Sequence, residues 1–536
     1  MKTVRTFILF LILSIPVLGL AAQPAAIGDK LSALLISVDA DVEIPVIATL
    51  AERVNPGQFK GLEKAAARSA LIKALQDKAA TSQGELVRFL HQNNGRNIRS
   101  LWIINAVAVT LKPQAVYALA NNPAIASINY DDMLAAPVKQ QAGTAIAEWN
   151  LNLINAPVIW SEGFFGAGAV VANMDTGVDY LHPDLAATWR GGTNSWYDPN
   201  GEHAAPYDAN GHGTQTMGVM VAGSGGGTAV GVAPDASWIA VKIYNDAGDA
   251  AYSAIHAGFQ WLLDPDGDPS TDDAPDVVNG SWGLRNAVNI CVSEFSTDVQ
   301  ILKAADIGVI FSAGNEGPGL ETSVSPANYV DSLAVGSIDN SLVVAQTSSR
   351  GPSACDASIY PELIAPGEGV RTTDLTFGGI FPDSYTTGYG TSFAAPHVSA
   401  GLALLHSIYP QLSMTELEQA LKDSALDLGQ YGPDNDYGYG LIDLEQAYLT
   451  LQNPGGCTDA DSDGFFAEPS CGTPVDCDDR DATINPAACD IKGDGIDQDC
   501  DGIDRTKGKD CPLDSSTGGG SGGGGSGGGK GKGGKG

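Results

Sequence analysis

Residues 151 to 451 alternate short apolar, β-branched runs with stretches of helical spacing. This alternation constrains the fold more than any other feature. Residues 170–174, 237–244, 277–281, 309–312 and 333–338 read as strands, and 214–221, 251–263, 294–305 and 392–408 as helices. Strands joined through helices run parallel in one sheet, with the helices on both faces. The expectation is an α/β fold whose ligand site lies beyond the carboxyl ends of the strands.

The rest of the chain divides by composition. Its 536 residues are 43% hydrophobic and 17% charged, apolar enough to exclude wholesale disorder. Asp and Glu number 63 against 29 Lys and Arg, a net charge of -34. Such a surface repels phosphate backbones, so nucleic acid is excluded as a partner. Residues 1–22 have a charged start at Lys2 and Arg5, an apolar run, and small residues at Ala21 and Ala22. This is the pattern of a secretory signal, with an uncleaved anchor as the alternative. No other stretch reaches about 20 apolar residues, so no membrane span is expected once the signal is removed. Residues 23–137 mix helix patterns at 62–89 and 114–121 with strand patterns at 98–111 and 124–130, and 131–148 reads as a linker. Residues 453–514 are rich in Asp, Cys and Gly. Residues 515–536 are Gly and Ser with Lys530, Lys532 and Lys535, the composition of a flexible coil, whether native tail or added linker.

Export places the cysteines in an oxidising compartment. Cys457, Cys471, Cys477, Cys489, Cys500 and Cys511 crowd one short segment and read as a disulfide framework of unassigned pairing. Cys291 and Cys355 stand apart, either as a further bridge or as two buried thiols.

Four motifs follow in order along residues 138–452. Met174-Asp175-Thr176-Gly177 closes an apolar strand. Asn210-Gly211-His212-Gly213-Thr214 opens a helix. Phe311-Ser312-Ala313-Gly314-Asn315 follows a buried strand, and Gly390-Thr391-Ser392-Phe393-Ala394-Ala395-Pro396 opens another helix. A hydroxyl nucleophile needs a base for its proton, and the base needs a carboxylate to fix its tautomer. Asp, His and Ser at strand ends and helix starts meet at one edge of a sheet. An amide at Asn315 is placed to donate to the oxyanion, with the Ser392 N–H as second donor. His182 and His397 lack the glycine frame of His212 and read as packing or capping residues.

In this order the motifs resemble the subtilisin family (subtilases) of serine endopeptidases. The resemblance runs from about Trp149 to Leu451. It implies a subtilisin-like parallel sheet in which Asp175 orients the base, His212 is general base then acid, Ser392 is the nucleophile and Asn315 completes the oxyanion hole. It further implies that residues 23–137 are a small α/β propeptide, the chain's own inhibitor, removed by a cut in 130–148. Protein or peptide substrates would pair with an edge containing Ser281, Trp282 and Gly283 and an opposite edge containing Gly248. Trp282 is either a subsite wall or core packing. Glu316 lies near the wall of the primary pocket, and a broad preference with an apolar or aromatic lean is expected. Asp184 matches a calcium ligand of some relatives, but the partner loop 223–228 is glycine-rich and lacks the expected Asn, which puts that site in doubt. The chain is expected to act as a secreted monomer.

The C-terminal region offers Asp459, Asp461 and Asp463 at alternate positions before Gly464, half of a calcium-loop pattern without its closing Glu. Asp478, Asp479, Asp497, Asp499 and Asp501 follow. Hard oxygen donors select Ca²⁺ over softer metals, so structural calcium is expected here. The segment resembles the Asp/Cys-rich metal-binding motif of secreted bacterial proteins; a solvated acidic spacer is the alternative. The competing function is a calcium-dependent binding or adhesion protein whose protease activity is secondary or lost. A third reading is a hydrolase of another ester or amide.

Overall fold

The computed structural model describes residues 25–137, 148–381 and 383–452, with 460–461, 465, 467, 475–488, 491 and 496–500 of the C-terminal region. The predicted signal and tail lie outside the described residues. Two units separate, one ending at Tyr448 and one beginning at Leu449.

The N-terminal region is a five-stranded sheet with helices. Its strands are β1 (Ala26–Ile27), β2 (Ile44–Leu50), β3 (Arg96–Leu101), β4 (Ala106–Leu111) and β5 (Ile125–Tyr130), in the order β1-β5-β2-β4-β3. Its helices are α1 (Asp29–Ser37), α2 (Lys64–Gln92) and α3 (Pro113–Ala120). The single strand expected at 98–111 is two strands. A short 3-10 turn, Trp102–Ile104, intervenes, and Asn105 then takes φ 50°. Asn tolerates that left-handed conformation, so the chain reverses inside an apolar run. The α2 residues Leu71, Ile72 and Leu75 are buried with Leu262, Val299 and Phe295 of the following domain in one continuous core. Burying each such side chain stabilises by about 1.5–3 kcal/mol.

The linker expected at 131–148 is partly structured. β6 (Met133–Ala135) pairs antiparallel with β10 (Asp249–Ala251). Residues 138–147 lie outside the described set.

The central sheet has seven parallel strands. They are β7 (Val170–Asp175), β8 (Trp196–Tyr197), β9 (Ser237–Lys242), β11 (Val277–Gly280), β12 (Gly308–Ser312), β13 (Leu333–Ile338) and β14 (Leu363–Pro366). Their order is β14-β13-β12-β11-β7-β9-β8, with every pairing parallel. The strands are almost wholly buried, as a sheet covered on both faces requires. β15 (Glu368–Thr373) and β16 (Tyr385–Tyr389) form a separate antiparallel pair. The principal helices are α4 (His212–Val221), α5 (Tyr252–Leu263), α6 (Ser296–Ala304) and α7 (Thr391–Ile408). α7 is buried on all sides from Thr391 to His406, the condition of a helix apolar all round. A disulfide joins Cys291 to Cys355 across a sequence separation of 64. Of the two readings left open by the sequence, the bridge is therefore the one realised.

In the C-terminal unit Cys477 pairs with Cys500. Cys457, Cys471, Cys489 and Cys511 fall outside the described residues.

Candidate active site

Three elements end at the same edge of the sheet. β7 stops at Asp175, whose carboxylate is fully buried. α4 begins at His212, after Gly211 at φ 102°. The ring Nδ1 of His212 lies 2.8 Å and 3.0 Å from the two Asp175 oxygens. The Thr176 N–H also donates to Asp175 at 2.7 Å, fixing the carboxylate's rotation. Burial disfavours charge on the imidazole. The Asp175 charge and hydrogen bond, with Asp208 behind, outweigh this and raise its pKa above the ordinary value.

Ser392 stands at the second position of α7, preceded by Gly390 at φ 100°. A Cβ on Gly390 would lie 2.9 Å from the Asn315 side-chain oxygen, so only glycine fits. That oxygen accepts the N–H and the hydroxyl of Thr391, both at 3.0 Å. The Asn315 oxygen is thereby engaged on the helix side, which leaves its NH₂ as the donor for the cleft. Pro396 inside α7 cannot donate to the Ser392 carbonyl four residues back. The Ser281 hydroxyl donates to that carbonyl instead, at 2.8 Å. The proline thus leaves an acceptor that ties β11's end to the serine. Ser392 Oγ donates to the Ser281 carbonyl at 3.4 Å and makes no hydrogen bond to His212 in this state. The two helix starts are nonetheless neighbours: the His212 and Phe393 rings lie 6.1 Å apart.

A buried amide network underlies the edge. Asn173 Nδ2 donates to the Gly213 carbonyl and the Thr216 hydroxyl at 2.9 Å. Asn279 Nδ2 donates to Asn173 and to Ser281 at 3.0 Å, and the Ser399 hydroxyl donates to Asn279 at 3.1 Å. Asn173 and Asn279 sit inside apolar strands, where a buried amide needs partners. That incongruity was the one sequence signal for them, and Ser399 carried none.

The cleft beside Ser392 is lined by Ser281, Trp282, Gly283, Gly314, Asn315, Glu316 and, from the N-terminal region, Ala135 and Pro137. The predicted edge residues are therefore brought together here. Gly248 lies on the other side, and its carbonyl accepts the Ala136 N–H at 2.7 Å. Trp282 is only 3% exposed, its ring edge-on to Phe311 at 5.4 Å and Phe295 at 5.9 Å. It belongs chiefly to the core and backs the cleft from within. Glu316 is engaged by Arg285 at 3.0 Å, by the Asn315 N–H at 2.6 Å and by the Ser349 hydroxyl at 3.3 Å. Its charge holds the Asn315 turn.

His397 is buried, with Nε2 2.8 Å from the Asn150 amide and its pKa lowered to about 4 by burial. His182 caps a short helix through the Asp184 N–H at 3.2 Å. Both serve structure. The carboxylate of Asp184 accepts the Gly225 N–H at 2.9 Å and the Tyr385 hydroxyl at 2.7 Å. The Arg371 guanidinium stacks on Tyr385 at 4.3 Å and donates to the Gly226 carbonyl at 3.1 Å. Protein donors and the Arg371 guanidinium thus surround the Asp184 carboxylate in this corner.

Among the described residues of the C-terminal unit, Asp461, Asp476 and Asp479 bring carboxylate oxygens within 4.8 Å of one another. Asp461 and Asp479 were predicted ligands. Asp476 is the third member of this cluster. Asp459, Asp463 and Asp501 lie outside the described residues. These hard oxygens fit a metal; Cys477 and Cys500, being bridged, do not serve as ligands. Among the described residues no helix is long and apolar enough to cross a membrane.

A family model described as "Subtilase family" matches residues 166–440. A second, described as "Putative metal-binding motif", matches residues 476–504. The chain is 34% identical to Bacillopeptidase F of Bacillus subtilis (strain 168) over 420 residues, 71% of this chain but 28% of that longer protein. It is 31% identical to Subtilisin E of the same organism over 382 residues, 69% of this chain and 88% of that protein. An alkaline protease of Shouchella clausii is 31% identical over 430 residues, 78% of this chain and 97% of that protein. These likenesses agree with the geometry at the sheet edge: the chain belongs to the subtilase family of serine-type endopeptidases.

Proposed function

We propose that the protein is a secreted endopeptidase made as a zymogen, in which residues 1–22 direct export and 23–137 form a propeptide. The observation that carries this reading is the cleft itself. Ser392 lines a groove that the chain's own Ala135 and Pro137 also line, where β6 (Met133–Ala135) pairs with β10, and the Asp175–His212 pair stands at the neighbouring helix start. A peptide substrate would pair along the same edges through main-chain bonds, which give affinity with little demand on sequence. The apolar lean of the pocket follows from Trp282 and Val324, with Glu316 neutralised by Arg285.

In the reaction, Ser392 turns about χ1 toward His212 and its Oγ attacks the substrate carbonyl carbon. His212 Nε2 takes the hydroxyl proton as the new C–O bond forms, and Asp175 holds the imidazolium. The oxyanion receives the Asn315 Nδ2–H and the Ser392 N–H, the latter at a helix start where no intrahelical acceptor exists. His212 then returns the proton to the leaving amine as the C–N bond breaks. Water repeats the sequence on the acyl-enzyme and frees Ser392. The C-terminal Asp461, Asp476 and Asp479 would hold a structural cation and take no part in these steps.

A serine-directed fluorophosphonate should label the secreted protein at Ser392. Labelling should vanish in Ser392→Ala and fall at least a hundredfold in rate in His212→Ala. Undiminished labelling of Ser392→Ala would assign the nucleophile elsewhere.

A further inference from the structure

The loop between α5 and β11 reads Asp264-Pro265-Asp266-Gly267-Asp268-Pro269-Ser270-Thr271-Asp272-Asp273. Asp264, Asp266 and Asp273 each bring a carboxylate oxygen within 4.8 Å of the other two. The loop is already shaped. Asp266 accepts the Asp268 N–H at 2.8 Å and the Thr271 hydroxyl at 3.0 Å. The Asn194 amide donates to Asp273 at 2.9 Å, and the Gln76 amide to Asp264 Oδ2 at 2.8 Å.

A second observation is independent of the clustering. Asp264 is only 6% exposed, and its other oxygen, Oδ1, is buried with no hydrogen-bond partner. A buried carboxylate oxygen without a donor is costly, and the usual remedies are a donor or a cation. Arg190 does not supply the remedy. Its guanidinium donates to the carbonyls of Asp273 and Asn194 and to the Ser195 hydroxyl, all off the carboxylates. Burial first, then the charges of Asp273 and Asp266, push the Asp264 carboxyl up to about 6. Burial and the Asp266 charge also raise Asp273, against the Asn194 hydrogen bond and the Arg190 charge.

We propose that Asp264, Asp266 and Asp273 form a binding site for a divalent, oxygen-seeking cation, calcium above all. Calcium takes six to eight oxygens in flexible geometry, so three carboxylates completed by water or loop carbonyls suffice. The loop has no His or Cys, which disfavours zinc. The site shares no residue with the C-terminal acidic cluster or with the corner at Asp184. It lies against the N-terminal region, because Gln76 bonds Asp264 and Arg68 pairs with Asp272 at 2.6 Å. Removal of that region would strip both partners and leave the loop with Arg190 and the cation as its counter-charges.

The test uses the full chain carrying Ser392→Ala, so that it stays uncut. Crystals soaked with Tb³⁺ alone should show an anomalous peak bonded to Asp264, Asp266 and Asp273. In solution, Ca²⁺ titration should count one ion fewer per chain in Asp264→Asn and in Asp266→Ser, the latter exposed and safe for folding. Asp476→Asn should lose a different ion and keep the terbium peak in the loop. No peak in the loop, or an unchanged calcium count in both loop variants, would overturn the proposal. Neither readout depends on protease activity.

Discussion

Asp208 accepts four hydrogen bonds in a fully buried site. They come from the backbone of Asn210, Gly211 and Thr214 at 2.9, 2.8 and 3.0 Å and from the Thr214 hydroxyl at 2.7 Å. These bonds shape the turn that delivers His212, so Asp208 is a positioning residue. In Asp208→Asn one oxygen becomes a donor facing N–H groups. A buried mismatch of this kind costs about 1–3 kcal/mol, and denaturant midpoints of the variant should fall accordingly. Its kcat should fall while KM changes little; an unchanged kcat would show that the turn needs no such support. The raised pKa of His212 makes a second prediction. The base acts when neutral, so the acid limb of kcat/KM in the matured enzyme should lie above the ordinary imidazole value of about 6.5. In Asp175→Asn, residual activity should show that limb moved down. A wild-type limb below 6.5 contradicts the assigned pairing. The triad residues were legible because each sits in a glycine frame at an element boundary. Asp208 was not, because a lone Asp in a loop of Asp and Asn carries no mark of burial.

His256 on α5 is the clearest case at the scale of elements. It is 0% exposed, with Nδ1 2.9 Å from Asp298 on α6 and Nε2 3.2 Å from Glu294. Burial alone would keep it neutral, but the two carboxylates raise its pKa to about 10. A folded value above the unfolded one gives stability that is complete below about pH 6.5 and lost as pH rises toward 10. His256→Leu would bury Asp298 without its counter-charge. The expected loss is about 3–5 kcal/mol by urea titration at pH 7, shrinking as pH rises. A loss under 1 kcal/mol would mean that the pair is not ionised. The strands of the central sheet were readable as apolar runs between glycines. β14 and β8 were not: one is four residues ending in proline, the other only two residues long. β6 had no pattern of its own, since its order comes from pairing with β10. The Cys291–Cys355 bridge stayed one of two open readings, because proximity of two loops is not written in spacing.

Across the whole first unit, the N-terminal region is joined to the catalytic domain by more than its shared core. Asp131 accepts the Ser253 N–H at 2.8 Å and hydroxyl at 2.6 Å, capping α5, whose own N-cap Ala251 has no side-chain oxygen to offer. Asn129 donates to Glu294 at 3.2 Å, and Arg99 to the Pro199 carbonyl at 2.8 Å. The family resemblance made the α/β catalytic sheet legible in advance. These contacts were not, since each depends on two surfaces meeting. The central proposal is that Ser392 first acts on the chain's own segment that follows Ala135 and Pro137 beside it. Intact-mass analysis of freshly folded protein tests this most directly. Wild type should yield two fragments cut between residues 136 and 148, and Ser392→Ala, purified alone, should remain one uncut chain. A purified Ser392→Ala protein that cleaves itself at the same bond would contradict the account.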